Sequence, residues 1–236
     1  MERDLARRAT AEGLGTAMLV AIVVGSGIYA QRLSPHDVGV QLLANSIATG
    51  AGLVALILAL GPVSGAHLNP VVTLADRLLG GTSTRDGVVY VAVQIVGACV
   101  GAMVANLMFD LPAIDVSTHT RSSSGLWLGE AVAAFGLLIV ILGVVRSGRA
   151  GLAAIAVGGY ITAAYWFTSS TSFANPAVTV GRTLSDTFAG IAPSSVPMFV
   201  VMQVAGALVA AALGIFLFPD TRAADLVVPH EGAPER

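Results

Sequence analysis

The chain has 236 residues, a mean hydropathy of +0.82 and only 11% charged residues, about half the charge of a typical soluble domain. Its twelve basic residues are all arginine and the formal net charge is −2, so no cationic surface for nucleic acid is expected. A single cysteine, Cys99, excludes an intrachain disulfide.

The charge is also localised. Stretches 13–30, 38–61, 131–145 and 150–168 contain no Asp, Glu, Lys or Arg. Runs of roughly 17–25 apolar residues match the hydrocarbon thickness that a helix must cross. The fold class is therefore an all-α membrane protein, with spans expected near 10–30, 39–60, 86–108, 125–145, 150–168 and 195–218. The first run follows Arg3, Arg7 and Arg8 and superficially resembles a signal peptide. It is too long for one, carries Glu12 at its start and ends in Tyr29-Ala30-Gln31 without a cleavage pattern, so it reads as a retained first helix.

Segments 61–85 and 169–194 break this pattern. Each holds an apolar stretch too short to span, opened by Asn69-Pro70 or Asn175-Pro176. Proline suits the first helical position and asparagine is a favoured N-cap. Each segment reads as a re-entrant loop that starts a short helix inside the membrane. Non-helical backbone at that depth is tolerated only where protein buries it or where it lines a wet cavity. A pore is the simplest such cavity.

The two halves repeat one another. Glu12 recurs as Glu130, Asn69-Pro70-Val71 as Asn175-Pro176-Ala177, and Gln94-Ile95-Val96-Gly97-Ala98 as Gln203-Val204-Ala205-Gly206-Ala207. The offsets are 118, 106 and 109 residues, which differ only by loop lengths. Three spans per copy is an odd number, so the second copy enters upside down: an inverted repeat with its site near the midplane. One channel domain is expected over 1–230, with repeat one about 10–108, repeat two about 125–218, and a polar cytoplasmic tail at 219–236. With the N-terminus inside, nine arginines fall in cytoplasmic segments and three (Arg32, Arg121, Arg182) outside, as the positive-inside tendency requires. Gly97, Gly101, Ala105, Gly206 and Ala210 let helices approach closely.

Ser64-Gly65-Ala66-His67-Leu68-Asn69-Pro70-Val71 and Phe173-Ala174-Asn175-Pro176-Ala177 resemble the two signature loops of the major intrinsic proteins, the aquaporins and aquaglyceroporins. The resemblance runs from Glu12 to about Phe218 and implies the aquaporin fold, with six transmembrane helices and two re-entrant half-helices. It further implies a homotetramer with one pore per subunit in the cell membrane, both termini cytoplasmic, no cofactor, and small neutral solutes and lipid as partners. In such a pore, two helix N-termini meet head to head and concentrate partial positive charge at the midplane. The amides of Asn69 and Asn175 donate to a passing solute oxygen, and carbonyls around 64–68 and 171–174 accept. A track of this kind favours neutral hydroxylated molecules and opposes cations.

Two positions depart from the family pattern. Val71 replaces the usual alanine of the first motif, a packing change. Most of the family carry arginine directly after the second motif, on the narrow outer filter, and this chain has Val178. Spacing from the asparagines maps the other filter positions to Thr49, Ala163 and Ser172. None of the four is aromatic, histidine or charged, so the constriction is expected to be wide and weakly polar, admitting glycerol or a neutral metalloid hydroxide such as arsenous acid. Filters of this kind resemble a bacterial aquaglyceroporin branch associated with arsenical efflux. Arg182, one turn past Val178, is either a displaced vestibule charge or a residue facing headgroups or water.

Glu12 and Glu130 are ionisable groups inside the membrane, ordinarily a functional flag. Their symmetric placement reads instead as anchoring of the two re-entrant loops, shared with Gln94 and Gln203. His67 lends a backbone carbonyl to the track, and Asp76 and Arg77 are placed to pair. An enzyme is disfavoured because His36, His67, His119 and His230 are scattered and no metal-ligand spacing occurs. Alternatives are a water-selective aquaporin and a gradient-coupled transporter; the latter ordinarily needs a charged coupling site beyond the scaffold positions.

Overall fold

The computed structural model describes residues 2–218, with side chains from Asp4 onward; the expected tail at 219–236 lies outside the described residues. Among the described residues the regular elements are helices: α1 (Glu2–Leu33), α2 (Val38–Ser64), α3 (Pro70–Leu78), α4 (Thr84–Met108), α5 (Ser124–Arg146), α6 (Ala153–Phe167), α7 (Pro176–Gly181) and α8 (Val196–Leu217). Six of these are long and apolar enough to cross a membrane, α6 together with the short turn before it. Six crossings return the chain to its starting face, so the start of α1 and the end of α8 share one side. Leu58, Ile155, Val201 and Phe216 point outward, and in lipid such exposure carries no hydrophobic cost.

Local chemistry sets the boundaries. Asp37, Ser83 and Ser123 cap α2, α4 and α5 by accepting from Val40, Asp86 and Leu126 N–H. The second helix runs further than its apolar pattern predicts, through Pro62 to Ser64. It stops at Gly65, whose φ of 85° is left-handed and whose N–H returns to the Gly61 carbonyl.

The halves correspond helix for helix. The first helix packs on α2 and α4, and α5 packs on α6 and α8; α2 against α6 joins the halves. Each half-helix leans on the last helix of both halves: α3 on α4 and α8, α7 on α8 and α4. Small residues make the tightest seams. A Cβ on Gly97 would stand 2.2 Å from the Gly13 carbonyl oxygen, and one on Gly206 would stand 2.1 Å from that of Ala131. Seams this close bring the paired helices, α1 with α4 and α5 with α8, into backbone contact.

Candidate functional site

The two re-entrant loops are held by one device used twice. Glu12 accepts from the N–H of His67 (2.9 Å) and Leu68 (2.7 Å), from Ser64 Oγ (2.7 Å) and from Gln94 Nε2 (2.8 Å). Glu130 accepts from the N–H of Phe173 and Ala174 (both 2.9 Å) and from Gln203 Nε2. Both carboxylates are fully buried. The loops need such support because Ala66 and Leu68, and again Ser172 and Ala174, take left-handed φ of 47–51° without being glycine. Each such residue costs on the order of 1 kcal/mol or more. The strained residues stand three and one before Asn69, and three and one before Asn175.

The glutamines continue the device. Gln94 Nε2 also donates to Thr73 Oγ1, which donates to the Asn69 carbonyl; Gln203 Nε2 and Thr179 Oγ1 do the same for Asn175. Thr73 and Thr179 were not among the expected site residues. Their identical spacing, four residues past each asparagine, is the sequence signal that marks them.

Asn69 and Asn175 each do two jobs. Their Oδ1 atoms cap the half-helices, accepting from Val71 N–H in one case and from Ala177 and Val178 N–H in the other. Their Nδ2 atoms donate across the midplane, Asn69 to the Ala174 carbonyl and Asn175 to the Leu68 carbonyl, both at 2.8 Å. An amide carries two N–H donors. Each asparagine therefore retains one, and both residues line a cavity between the halves. Pro70 and Pro176 occupy the first turns, and Val71 and Ala177 are buried behind the wall rather than on it.

Thr49, Ser172 and Val178 line the same cavity. Ala163 does not, which corrects its assignment to the filter. It lies with Gly159, Trp166 and Phe167 on the exposed stripe of α6, while Ile161 and Tyr165 take the cavity face. Counting back from Asn175 cannot resolve this, since two residues along a helix turn the side chain by about 200°. Tyr165 is buried and its hydroxyl lies 3.1 Å from Thr49 Oγ1.

Arg182 also lines the cavity, with 2% of its surface exposed. That excludes a position among headgroups. It sits in the 3₁₀ turn Arg182–Leu184 that follows α7, donates from Nε to the Ala189 carbonyl, and places Cζ 3.4 Å from the centroid of the Phe173 ring. Tyr165 and Arg182 thus share the cavity wall with Thr49, Ser172 and Val178, and Tyr165 is a wall residue that counting from the asparagines misses. Both misses have one cause: contact across helices is not encoded in spacing along one of them.

His67 also lines the cavity and is buried, with Nδ1 3.0 Å from Thr73 Oγ1 and its ring edge-on to Tyr90. Asp76 and Arg77 do not pair with each other. Asp76 accepts from Thr82 Oγ1 and lies 3.9 Å from His67 Nε2, whereas Arg77 donates to Thr84 Oγ1. Adjacent residues on a helix diverge by about 100°, which separates the two side chains. No cluster of metal-ligating side chains occurs among the described residues.

A bundle of six crossing helices, with two half-helices meeting by their capped ends at a cavity lined from both halves, defines a membrane channel. The chain belongs to the major intrinsic protein family, whose model matches residues 1–168. It is 50% identical over 233 residues, 99% of each chain, to the aquaglyceroporin AqpS of Rhizobium meliloti (strain 1021). It is 32% identical over 245 residues to a probable aquaporin AqpM of Archaeoglobus fulgidus, covering 92% of this chain and 99% of the relative. Among solved structures, the aquaglyceroporin from Plasmodium falciparum superposes with a TM-score of 0.72 over 91% of this chain and 98% of that one; at 21% identity this likeness speaks for the fold. The protein is thus a multi-pass channel for small solutes and not an enzyme.

Proposed function

We propose that the chain passes small uncharged solutes larger than water, namely glycerol-like polyols and neutral metalloid or arsenic hydroxides, together with water. One observation carries this reading: Val178 occupies the wall of the cavity that Thr49 and Ser172 also line, directly after Asn175-Pro176-Ala177, where a long cationic side chain would otherwise narrow the passage. The kinship to a protein named an aquaglyceroporin supports it. Along the track, the spare amide N–H of Asn69 and of Asn175 donates to a hydroxyl, and carbonyls of the loops before each motif, around 64–68 and 171–174, accept. Each solute–water hydrogen bond given up on entry is replaced, so the barrier stays low for neutral polar molecules.

The test is permeability in proteoliposomes for water, glycerol and arsenous acid. Val178→Arg is expected to reduce glycerol and arsenous acid flux by roughly tenfold or more, about 1.4 kcal/mol of added barrier, while water still passes. Wild-type vesicles that pass water alone would remove the substrate assignment. That outcome corresponds to the second reading, a water-selective channel, which Tyr165 and Arg182 in the wall favour. A flux that requires a proton or sodium gradient would indicate a coupled transporter instead.

The arginine distribution supports a cell-membrane orientation with both chain ends cytoplasmic. In a variant lacking Cys99, a single cysteine introduced at His36 is then expected to react with an impermeant thiol reagent from outside intact cells, and one at Ser147 only after permeabilisation. The reverse pattern would invert the assignment.

A further inference from the structure

Arg182 stands apart from every other cavity-lining residue. It is buried, it carries the cavity's fixed positive charge, and its Nη1 has no hydrogen-bond partner. Among the described residues no carboxylate lies within 4 Å of it. Arg121 comes to the same place from the loop after α4, with its Cζ 5.2 Å from the Phe173 ring that Arg182 also covers. Three consecutive carbonyls hold the pair: Phe188 and Gly190 accept from Arg121, and Ala189 accepts from Arg182. That carbonyl ledge is itself fixed, since a Cβ on Gly190 would stand 2.3 Å from Ser117 Oγ and 2.4 Å from the Ser185 carbonyl oxygen. The nearby carboxylate of Glu130 is already engaged by two backbone N–H groups and Gln203.

We propose that Arg182, seconded by Arg121, is the cation barrier of this channel, so that charge selection and size selection are carried by different residues. The physical basis is the different range of the two effects. Steric exclusion acts only at contact, so a valine at 178 widens the passage there. Coulomb repulsion falls off only as the inverse of distance, so a guanidinium one turn further along still raises the energy of a cation at the constriction. Low-dielectric walls strengthen that repulsion, and the nearby carboxylate of Glu130 forms no ion pair with Arg182 or Arg121 among the described residues. The guanidinium N–H left without a partner, together with the unpartnered Ser172 Oγ on the same wall, is also available to a neutral solute's oxygen. The inference deepens the channel reading above and rests on it, but its measurement is made on ions rather than on glycerol.

The test is proton and sodium leak into proteoliposomes, followed with entrapped dyes under an imposed membrane potential. Water flux above that of protein-free vesicles serves as the sign that the pore is present. Arg182→Gln keeps a donor for the Ala189 carbonyl and removes the charge; it is expected to raise cation leak about tenfold or more. Arg121→Gln is expected to raise it less, and Arg182→Lys to keep it low. The double variant Val178→Arg with Arg182→Gln returns a guanidinium to the wall and is expected to restore the barrier. A wild-type leak rate in Arg182→Gln overturns the proposal. So does a leak that neither Arg182→Lys nor the double variant suppresses, since the side chain would then be acting through packing rather than charge. If wild type excludes glycerol, the substrate reading fails while these leak comparisons still decide the role of Arg182.

Discussion

Glu130→Ala is expected to lower the apparent unfolding midpoint of the detergent-solubilised protein by about 10 °C or more, with Glu12→Ala behaving alike. Removing the Glu130 side chain orphans the N–H groups of Phe173 and Ala174 in a buried loop. Each orphaned donor costs about 1–3 kcal/mol. It also releases Ser172 and Ala174, whose left-handed φ persists only while something holds it. Two such donors make about 2–6 kcal/mol, which at about 2–4 °C per kcal/mol for a chain of this size spans about 4–24 °C and is centred above 10 °C. Glu130→Gln retains one acceptor oxygen and turns the other position into a donor, so an intermediate loss is expected. Permeability should fall with stability, because the loop that unfastens carries the Ala174 carbonyl that Asn69 bridges. An alanine variant that melts within a degree or two of wild type and conducts normally would show that the loops hold themselves.

The second large effect belongs to the helix seams. Gly101→Ala adds a single methyl group, yet its Cβ would stand 2.1 Å from the Ala17 carbonyl oxygen and 2.9 Å from its carbonyl carbon. Those atoms are backbone of α1, so no side chain can swing aside and the two helices must part. Overpacking of a close seam costs about 1–3 kcal/mol, and contact with backbone places this site at the upper end or beyond. The expected result is a markedly lower melting midpoint and loss of monodisperse protein in detergent. Gly159 supplies the control: a Cβ there meets nothing within 4 Å, so Gly159→Ala should leave the midpoint unchanged or slightly raised. Equal behaviour of the two variants would refute the seam as the cause.

Much of the architecture is legible along the chain because membrane crossing is a one-dimensional property. Length and hydropathy act on each segment separately, and so do the N-caps at Asn69 and Asn175. The repeat is legible for a related reason. Glu12 and Glu130, Gln94 and Gln203, and the two Asn-Pro pairs recur at near-constant offsets, and inverted copies of one unit bring equivalent residues together. Thr73 and Thr179 belong to that same class and were readable from their spacing.

What spacing cannot give is the angular position of a side chain about its helix axis relative to a neighbour. Ala163 and Tyr165 are two residues apart and face opposite ways, and the choice between them is made by how α6 packs on α2, where Tyr165 meets Thr49. Arg121 and Arg182 are 61 positions apart and meet at one phenylalanine ring. By itself the sequence determined the crossings, the two half-helices and the polar groups of the loops, because each follows from local hydropathy, capping and repetition. Only the tertiary structure decided which side chains form the wall at Val178, because that wall is assembled across helices that no periodicity along one of them relates.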